Sequence, residues 1–202
     1  MEMRYFEEIR LSLFPKPVVV VTSRGHDGRT GATTIGWNGV LSSRPLIVGV
    51  SFLPDSFTRA CILESREFVV NVPSHEMWRE VNYLGSVSGP WELKLAGMEK
   101  ALSATLSLSD SKTVKAPGIK ECYLSLECRL LRVVQCGLYD SMMGMVVGMR
   151  CHADVYLDDH PRGSIDHTRV FPLIGVADEY WGRGVQLGKS TENKNHPHGD
   201  RD

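Results

Sequence analysis

The chain has 202 residues, of which 42% are hydrophobic and 23% are charged, as in an ordinary soluble globular protein. This length is sufficient for one domain to fold without disulfides or a structural metal. The 23 Lys and Arg residues nearly balance 24 Asp and Glu, and a net charge of −1 excludes the strong basic field that attracts nucleic acid or an anionic membrane.

No segment indicates secretion, a membrane span or a metal site. The longest strongly apolar run, residues 18–21, is too short to cross a bilayer, and residues 1–4 lack the apolar character of a signal peptide. The cytoplasm is therefore the expected location. The five cysteines are odd in number and form no CxxC pair, so we expect buried, reduced thiols. His196 and His198 are expected to be solvated and to bind no metal.

The first quarter of the chain is predicted to contain one helix and three strands. Pro15 and Pro17 end the helix, a turn rich in glycine and aspartate at residues 24–29 separates the first two strands, and Pro45 introduces the third. The predicted positions are 4–14 for the helix and 18–23, 30–41 and 46–52 for the strands.

The next part of the chain alternates short helices with one strand. Asp55 and Ser56 are typical of a helix N-cap, and the strand at residues 68–72 ends before Pro73. Ser74 is expected to cap a helix that runs to about residue 83. A glycine-containing loop then leads to a short helix that carries Trp91 and Lys94.

From residue 121 the apolar residues take even positions, while Ser125, Glu127 and Arg129 take odd ones. This alternation predicts a long strand with its even-numbered face in the core, paired with a second strand at 142–155 through a hairpin near 137–140. Residues 188–202 contain no aliphatic, aromatic, methionine or cysteine side chain, which predicts a disordered tail after a single domain of residues 1–187.

Many short strands with few helices favour a mainly β fold, a β-barrel with helical additions, over alternating βαβ units. The phosphate-binding fingerprints GxGxxG and GxxxxGK[ST] are absent, as are the GxSxG and HExxH motifs. Two polar segments beside predicted strands remain as candidate binding sites.

The first candidate segment spans residues 30–39. Gly31 permits close approach of a ligand to the backbone, Thr33 and Thr34 offer hydroxyls, and Trp37 offers an aromatic surface. The alternative is a bulged strand in which the threonines serve β-propensity alone.

The second segment lies at a predicted helix start. Ser56, Thr58 and Arg59, together with free backbone N–H groups and the positive end of the helix dipole, are suited to a phosphate. Asp55 opposes this interpretation, because a carboxylate repels a phosphate. Simple N-capping by Ser56 is the alternative.

The order of these segments resembles the flavin reductase-like family, which includes flavoredoxin and other FMN-binding split-barrel proteins. The resemblance extends from Pro15 to about Gly188, and its most specific motif is EFVVN at residues 67–71. The other matching segments are residues 17–23, 28–42, 43–48, 58–62, 92–98, 114–122 and 126–128.

The resemblance implies a split barrel of Greek-key type that binds FMN non-covalently, with the flavin at the interface of a homodimer. It places Trp37 beside the flavin, Thr58 on its phosphate and Lys94 near the ring or ribityl chain. Tyr139 is expected at the edge of the pocket, with a role in the core or in a dimer contact as the alternative. The sequence departs from the family at Ser56, where a lysine is frequent, and at Tyr139, where a histidine is frequent.

Two functions therefore remain open at this stage. The first is an oxidoreductase that passes electrons from NAD(P)H or a protein donor through FMN to an acceptor, such as a redox partner protein. The second is a non-catalytic FMN carrier or storage protein. Neither function requires nucleic acid, a membrane or a metal.

Overall fold

The computed structural model describes residues 15–158 and 164–184, and all structural statements below concern those residues. The predicted helix at 4–14 lies outside them, as does the predicted tail at 188–202. The fourteen strands of this part are β1 (Lys16–Pro17), β2 (Val19–Arg24), β3 (Thr30–Ile35), β4 (Asn38–Ser43), β5 (Leu46–Phe52), β6 (Glu67–Val72), β7 (Leu108–Ser109), β8 (Gly118–Ile119), β9 (Leu124–Cys136), β10 (Tyr139–Cys151), β11 (Tyr156–Leu157), β12 (Ser164–Ile165), β13 (Ile174–Val176) and β14 (Glu179–Trp181).

Three α-helices accompany the strands. They are α1 (Phe57–Ser65), α2 (Trp78–Ser86) and α3 (Trp91–Leu102), and 3-10 turns occupy His75–Met77 and Ala153–Val155. The helix starting after Ser56, the strand ending before Pro73 and the helix carrying Trp91 all confirm the sequence predictions. The predicted helix after Ser74 begins as the first of these 3-10 turns and continues as α2.

Seven strands form one antiparallel sheet in the order β3-β2-β6-β9-β10-β5-β4. The two edge strands, β3 and β4, are consecutive in the chain and are joined by Gly36 and Trp37 alone. Because two residues cannot bridge a flat seven-stranded sheet, the sheet curls until its edges meet without pairing. The predicted mainly β split-barrel fold is confirmed, and the predicted strand at 30–41 is two strands that part at this seam.

Two apolar cores occupy the two faces of the sheet. On β2, Val19 and Val21 point into the barrel, where they pack with Phe52, Phe68 and other residues. The alternate residues of the same segment, including Val20, pack outside the barrel against α2 and α3. Both faces of β2 are buried, which explains the continuous apolar run that predicted this strand.

The prediction for the odd-numbered face of β9 is wrong for two of its three residues. Ser125 and Glu127 are buried, and only Arg129 is exposed. Glu127 accepts hydrogen bonds from the backbone N–H groups of Lys112 (3.0 Å) and Thr113 (2.6 Å). Burial raises the pKa of Glu127, but the hydrogen bond from the Thr113 hydroxyl, together with the two backbone bonds, outweighs burial and holds that pKa below its ordinary value. A covering loop therefore replaces solvent on this face.

All five cysteines are free thiols, as predicted. Cys61, Cys122 and Cys128 are buried, whereas Cys136 is exposed and Cys151 is half-buried, so the expectation of burial is wrong for Cys136. No helix in residues 15–158 or 164–184 is both long and apolar enough to cross a membrane.

Candidate functional site

A cleft of about 390 Å³ opens beside the seam of the barrel. Its size lies within the range of small-molecule and cofactor sites. Four parts of the fold line it, namely the end of β3 with the seam, the end of β5 with the start of α1, the end of α2 with the loop that leads to α3, and two single side chains. The lining residues are Thr33, Thr34, Ile35, Gly36, Trp37, Ser51, Phe52, Leu53, Asp55, Ser56, Phe57, Thr58, Gly85, Ser86, Val87, Ser88, Gly89, Lys94 and Tyr139.

Trp37 forms an aromatic wall of the cleft. Its carbonyl oxygen accepts a hydrogen bond from the Ser51 N–H group (2.9 Å), which ties the seam to β5. The Tyr139 ring meets the indole edge to face at 6.3 Å between centroids, and the Lys16 ammonium lies 4.3 Å from the centroid of the indole ring. These contacts orient Trp37 while leaving it partly exposed.

The N-terminus of α1 forms the hydroxyl-bearing side of the cleft. The Ser56 side chain caps the helix by accepting from the Arg59 N–H group at 3.4 Å, so Ser56 rather than Asp55 is the cap. Thr58, only 1% exposed, lies against Gly31 of β3. A Cβ atom at Gly31 would come within 2.7 Å of the Thr58 Cα atom, so only glycine at this position lets the helix approach the strand.

Lys94 reaches the cleft from α3 and is 1% exposed. Its Nζ atom donates to the carbonyl oxygens of Ala32 (2.7 Å) and Leu84 (2.8 Å), which links β3 to the end of α2. An ammonium has three N–H donors, so one remains for a ligand in the cleft. Burial lowers the pKa of Lys94 from 10.5 to about 8, which leaves the side chain largely charged at pH 7.

Arg59 is held by Asp140 of β10. Its Nε and Nη2 atoms lie 2.7 and 2.5 Å from the Asp140 Oδ2 atom, and its Nη1 atom donates to the Pro54 carbonyl oxygen at 3.0 Å. This ion pair joins α1 to the hairpin of β9 and β10. The guanidinium is therefore neutralised by a carboxylate before any ligand arrives.

The structure brings seven of the nine predicted site residues to one cleft, and these are Thr33, Thr34, Trp37, Ser56, Thr58, Lys94 and Tyr139. The Thr34 hydroxyl already donates to the Val81 carbonyl oxygen. Gly31 and Arg59 do not line the cleft, because Gly31 packs against α1 and Arg59 pairs with Asp140.

One wall of the cleft that the sequence did not predict is formed by residues 85–89, at the end of α2 and in the loop that follows it. Ser86 and Ser88 line the cleft here, and Ser51 lines it from β5. The Ser86 hydroxyl donates to the Tyr83 carbonyl oxygen (3.0 Å), and the Ser51 hydroxyl is hydrogen-bonded to that of Ser141 (2.8 Å). The run Gly-Ser-Val-Ser-Gly was recognisable only as a loop, because nothing local to it shows that it faces the seam. No metal-binding group of three or more His, Cys, Asp or Glu side chains occurs among residues 15–158 and 164–184.

The curled sheet and the cleft at its seam define a split-barrel protein with a binding site suited to a partly aromatic, polar ligand. A model of the flavin reductase like domain matches residues 11–167. The chain belongs to the flavin reductase-like family.

One relative and two solved structures are similar to this chain. An uncharacterised protein of Archaeoglobus fulgidus is 38% identical over 128 residues, which are 63% of this chain and 68% of that protein. Flavoredoxin of Desulfovibrio vulgaris (Miyazaki F) superposes with a TM-score of 0.81 at 25% identity, covering 95% of this chain and all of that one (100%). An FMN-binding protein from Thermus thermophilus has a TM-score of 0.73 at 23% identity, covering 93% of this chain and 99% of that one.

Proposed function

We propose that the cleft binds FMN non-covalently and that the protein is an FMN-dependent oxidoreductase. The observation that carries this proposal is the meeting, in one cleft, of an aromatic wall at Trp37, a hydroxyl-bearing helix start at Thr58 and a buried ammonium at Lys94. These groups match the planar ring, the phosphate and the polar edge of a flavin mononucleotide. The structurally similar protein from Thermus thermophilus binds FMN, which supports the choice of this flavin.

Each group has a defined task in this proposal. Ser56 and Thr58 orient the phosphate with the free N–H groups of α1, and Trp37 packs against the ring system. Lys94 keeps one N–H donor and a positive charge at the cleft. Bound FMN supplies the electron transfer, and the protein supplies orientation and charge.

Replacing Thr58 by valine is expected to weaken FMN binding about threefold, because a single hydrogen bond from a neutral hydroxyl makes a net contribution of about 0.5–1.5 kcal/mol, and we expect the low end of that range here. Valine keeps the shape of this buried side chain and replaces only its hydroxyl with a methyl group. Isothermal titration calorimetry measures the affinity. Thr30→Val is the matched control. Thr30 is a buried threonine, as Thr58 is, but it lies on β3 and does not line the cleft. Equal FMN affinity in Thr58→Val and the native protein would reject this phosphate position.

Sustained oxidation of NADH or NADPH in the presence of FMN is the expected result for an enzyme that uses these donors. Steady-state absorbance at the nicotinamide band measures it. If the protein binds FMN but sustains no oxidation of NADH, of NADPH or of a chemical reductant, that result would instead support the carrier or storage function. We also propose that a redox partner protein donates or accepts the electrons and that the protein is located in the cytoplasm.

We also propose a homodimer with the flavin near its interface. Strand β4, which starts directly after Trp37, exposes the apolar side chains of Val40 and Leu41, and Leu53 is exposed at the cleft itself. Apolar side chains clustered beside a site are typical of a protein interface. Sedimentation velocity is expected to give a dimer, and a monomer at micromolar concentration would contradict this.

A further inference from the structure

The charges around the cleft are unusual for a site that takes a phosphate. Among the described residues that line it, Asp55 and Lys94 are the only charged ones, so this part of the lining has no net formal charge. Two of the three N–H donors of Lys94 are bonded to carbonyl oxygens. The lining therefore contains no guanidinium and only part of one ammonium to balance a phosphate dianion.

Arg59 is the cation that the sequence places next to this site. It follows Thr58 directly on α1, but among the described residues the hydrogen bonds of its guanidinium go to Asp140 and to the Pro54 carbonyl oxygen. Both side chains of the ion pair are largely buried, with 22% and 15% of their surface exposed. Limited solvent screening keeps this pair stronger than a surface ion pair. Asp140 thus competes with any anion for the same guanidinium.

We propose that Asp140 is a specificity-determining residue that withholds Arg59 from the cleft, so that the site distinguishes FMN from riboflavin only weakly. This inference rests on the proposed function, because it concerns the same flavin site. The flavin is then selected mainly through its ring and ribityl chain. The phosphate adds only the hydrogen bonds of neutral hydroxyl and N–H groups at the start of α1.

The first test compares the two flavins on the native protein by isothermal titration calorimetry. FMN is expected to bind about tenfold more tightly than riboflavin, which corresponds to neutral donors on a phosphate. The affinity for FMN is expected to change little more with ionic strength than the affinity for riboflavin, because the described residues that line the cleft supply no guanidinium and a single ammonium that already makes two hydrogen bonds. A preference for FMN of about a thousandfold, with strong salt dependence, would overturn the inference.

The second test releases Arg59. Asp140→Asn removes the negative charge with little change in shape, and Asp140→Ala removes the acceptor altogether. Each is expected to raise FMN affinity about tenfold and to leave riboflavin affinity unchanged, because a charge-assisted contact to phosphate becomes available. The double variant Arg59→Gln/Asp140→Asn is expected to lose this gain, since the guanidinium that provides it is gone.

Asp110→Asn is the matched control, because it changes the net charge by the same amount at an exposed position outside the cleft. An unchanged ratio of FMN to riboflavin affinity in both Asp140 variants would overturn the inference. A gain that persists in the double variant would also overturn it. If the native protein binds neither flavin, the proposed function itself fails. That result differs from the one in which flavins bind but the ratio of FMN to riboflavin affinity is the same in the Asp140 variants, which overturns this inference alone.

Discussion

Replacing Lys94 by methionine is expected to change how the free energy of unfolding depends on pH between 8 and 10.5. In the folded protein, burial lowers the pKa of Lys94 from 10.5 to about 8. Between these two values the unfolded chain keeps the proton and the folded chain does not. The unfolded state therefore binds more protons, and stability rises with pH in this window.

Across this pH window, the free energy of unfolding of the native protein is expected to rise by roughly 3 kcal/mol relative to that of Lys94→Met. This figure follows from about 1.4 kcal/mol for each unit of pKa difference. A neutral lysine amine retains two N–H donors, enough for both the Ala32 and Leu84 carbonyl oxygens, so those bonds survive deprotonation. Burial also raises the pKa values of the Cys122 and Cys128 thiols, which makes stability fall as the pH rises. This effect is the same in both proteins, so it cancels when their stabilities are compared.

Urea unfolding at several pH values measures this effect, with Lys100→Met as the control for an exposed lysine on the same helix. Parallel pH profiles for native protein and Lys94→Met would show that the Lys94 pKa is not depressed. Lys94→Met is also expected to weaken FMN binding at pH 7 by roughly tenfold, because the remaining charged donor is lost. Both readouts come from one variant but test different properties of the ammonium.

Gly31→Ala is expected to destabilise the protein by about 2–3 kcal/mol and to remove most of its affinity for FMN. The added methyl group would meet the Cα atom of Thr58 at 2.7 Å and its Oγ1 atom at 2.9 Å. Backbone atoms cannot turn aside as a flexible side chain can, so the start of α1 must move away from β3. That shift displaces both Ser56 and Thr58 from the cleft.

Thermal unfolding and calorimetry with FMN measure the two effects of Gly31→Ala. Gly39→Ala is the matched control, because a Cβ atom at Gly39 on β4 would meet nothing within 4 Å. Gly31→Ala with the stability and FMN affinity of Gly39→Ala would contradict the close packing of α1 on β3.

The fold was predictable because its main signals are local. The β-branched run of β2, the serine before α1 and the proline before β5 each determine an element through neighbouring residues. The seam between β3 and β4 was not predictable in this way. Gly36 and Trp37 could belong to one bulged strand, and only the pairing of β4 with β5 shows that the chain changes edges there.

The site was predictable in its residue types more than in its contacts. Thr58 and Trp37 stand out as a hydroxyl at a helix start and an aromatic residue among small ones. The pairing of Arg59 with Asp140 joins residues 81 positions apart, and the bond from Lys94 to Ala32 spans 62 positions. No periodicity or spacing encodes such distant pairs. The structure shows in addition that Lys94 and Arg59 already have hydrogen-bond partners within the protein.

A crystal structure of the protein grown with FMN would show directly whether the cleft at the barrel seam holds the flavin. We expect flavin density between Trp37 and residues 85–89, with the phosphate at Ser56 and Thr58 and the Lys94 Nζ atom within hydrogen-bond distance of the ligand. Density for FMN elsewhere on the molecule, with this cleft filled by side chains or solvent, would contradict it.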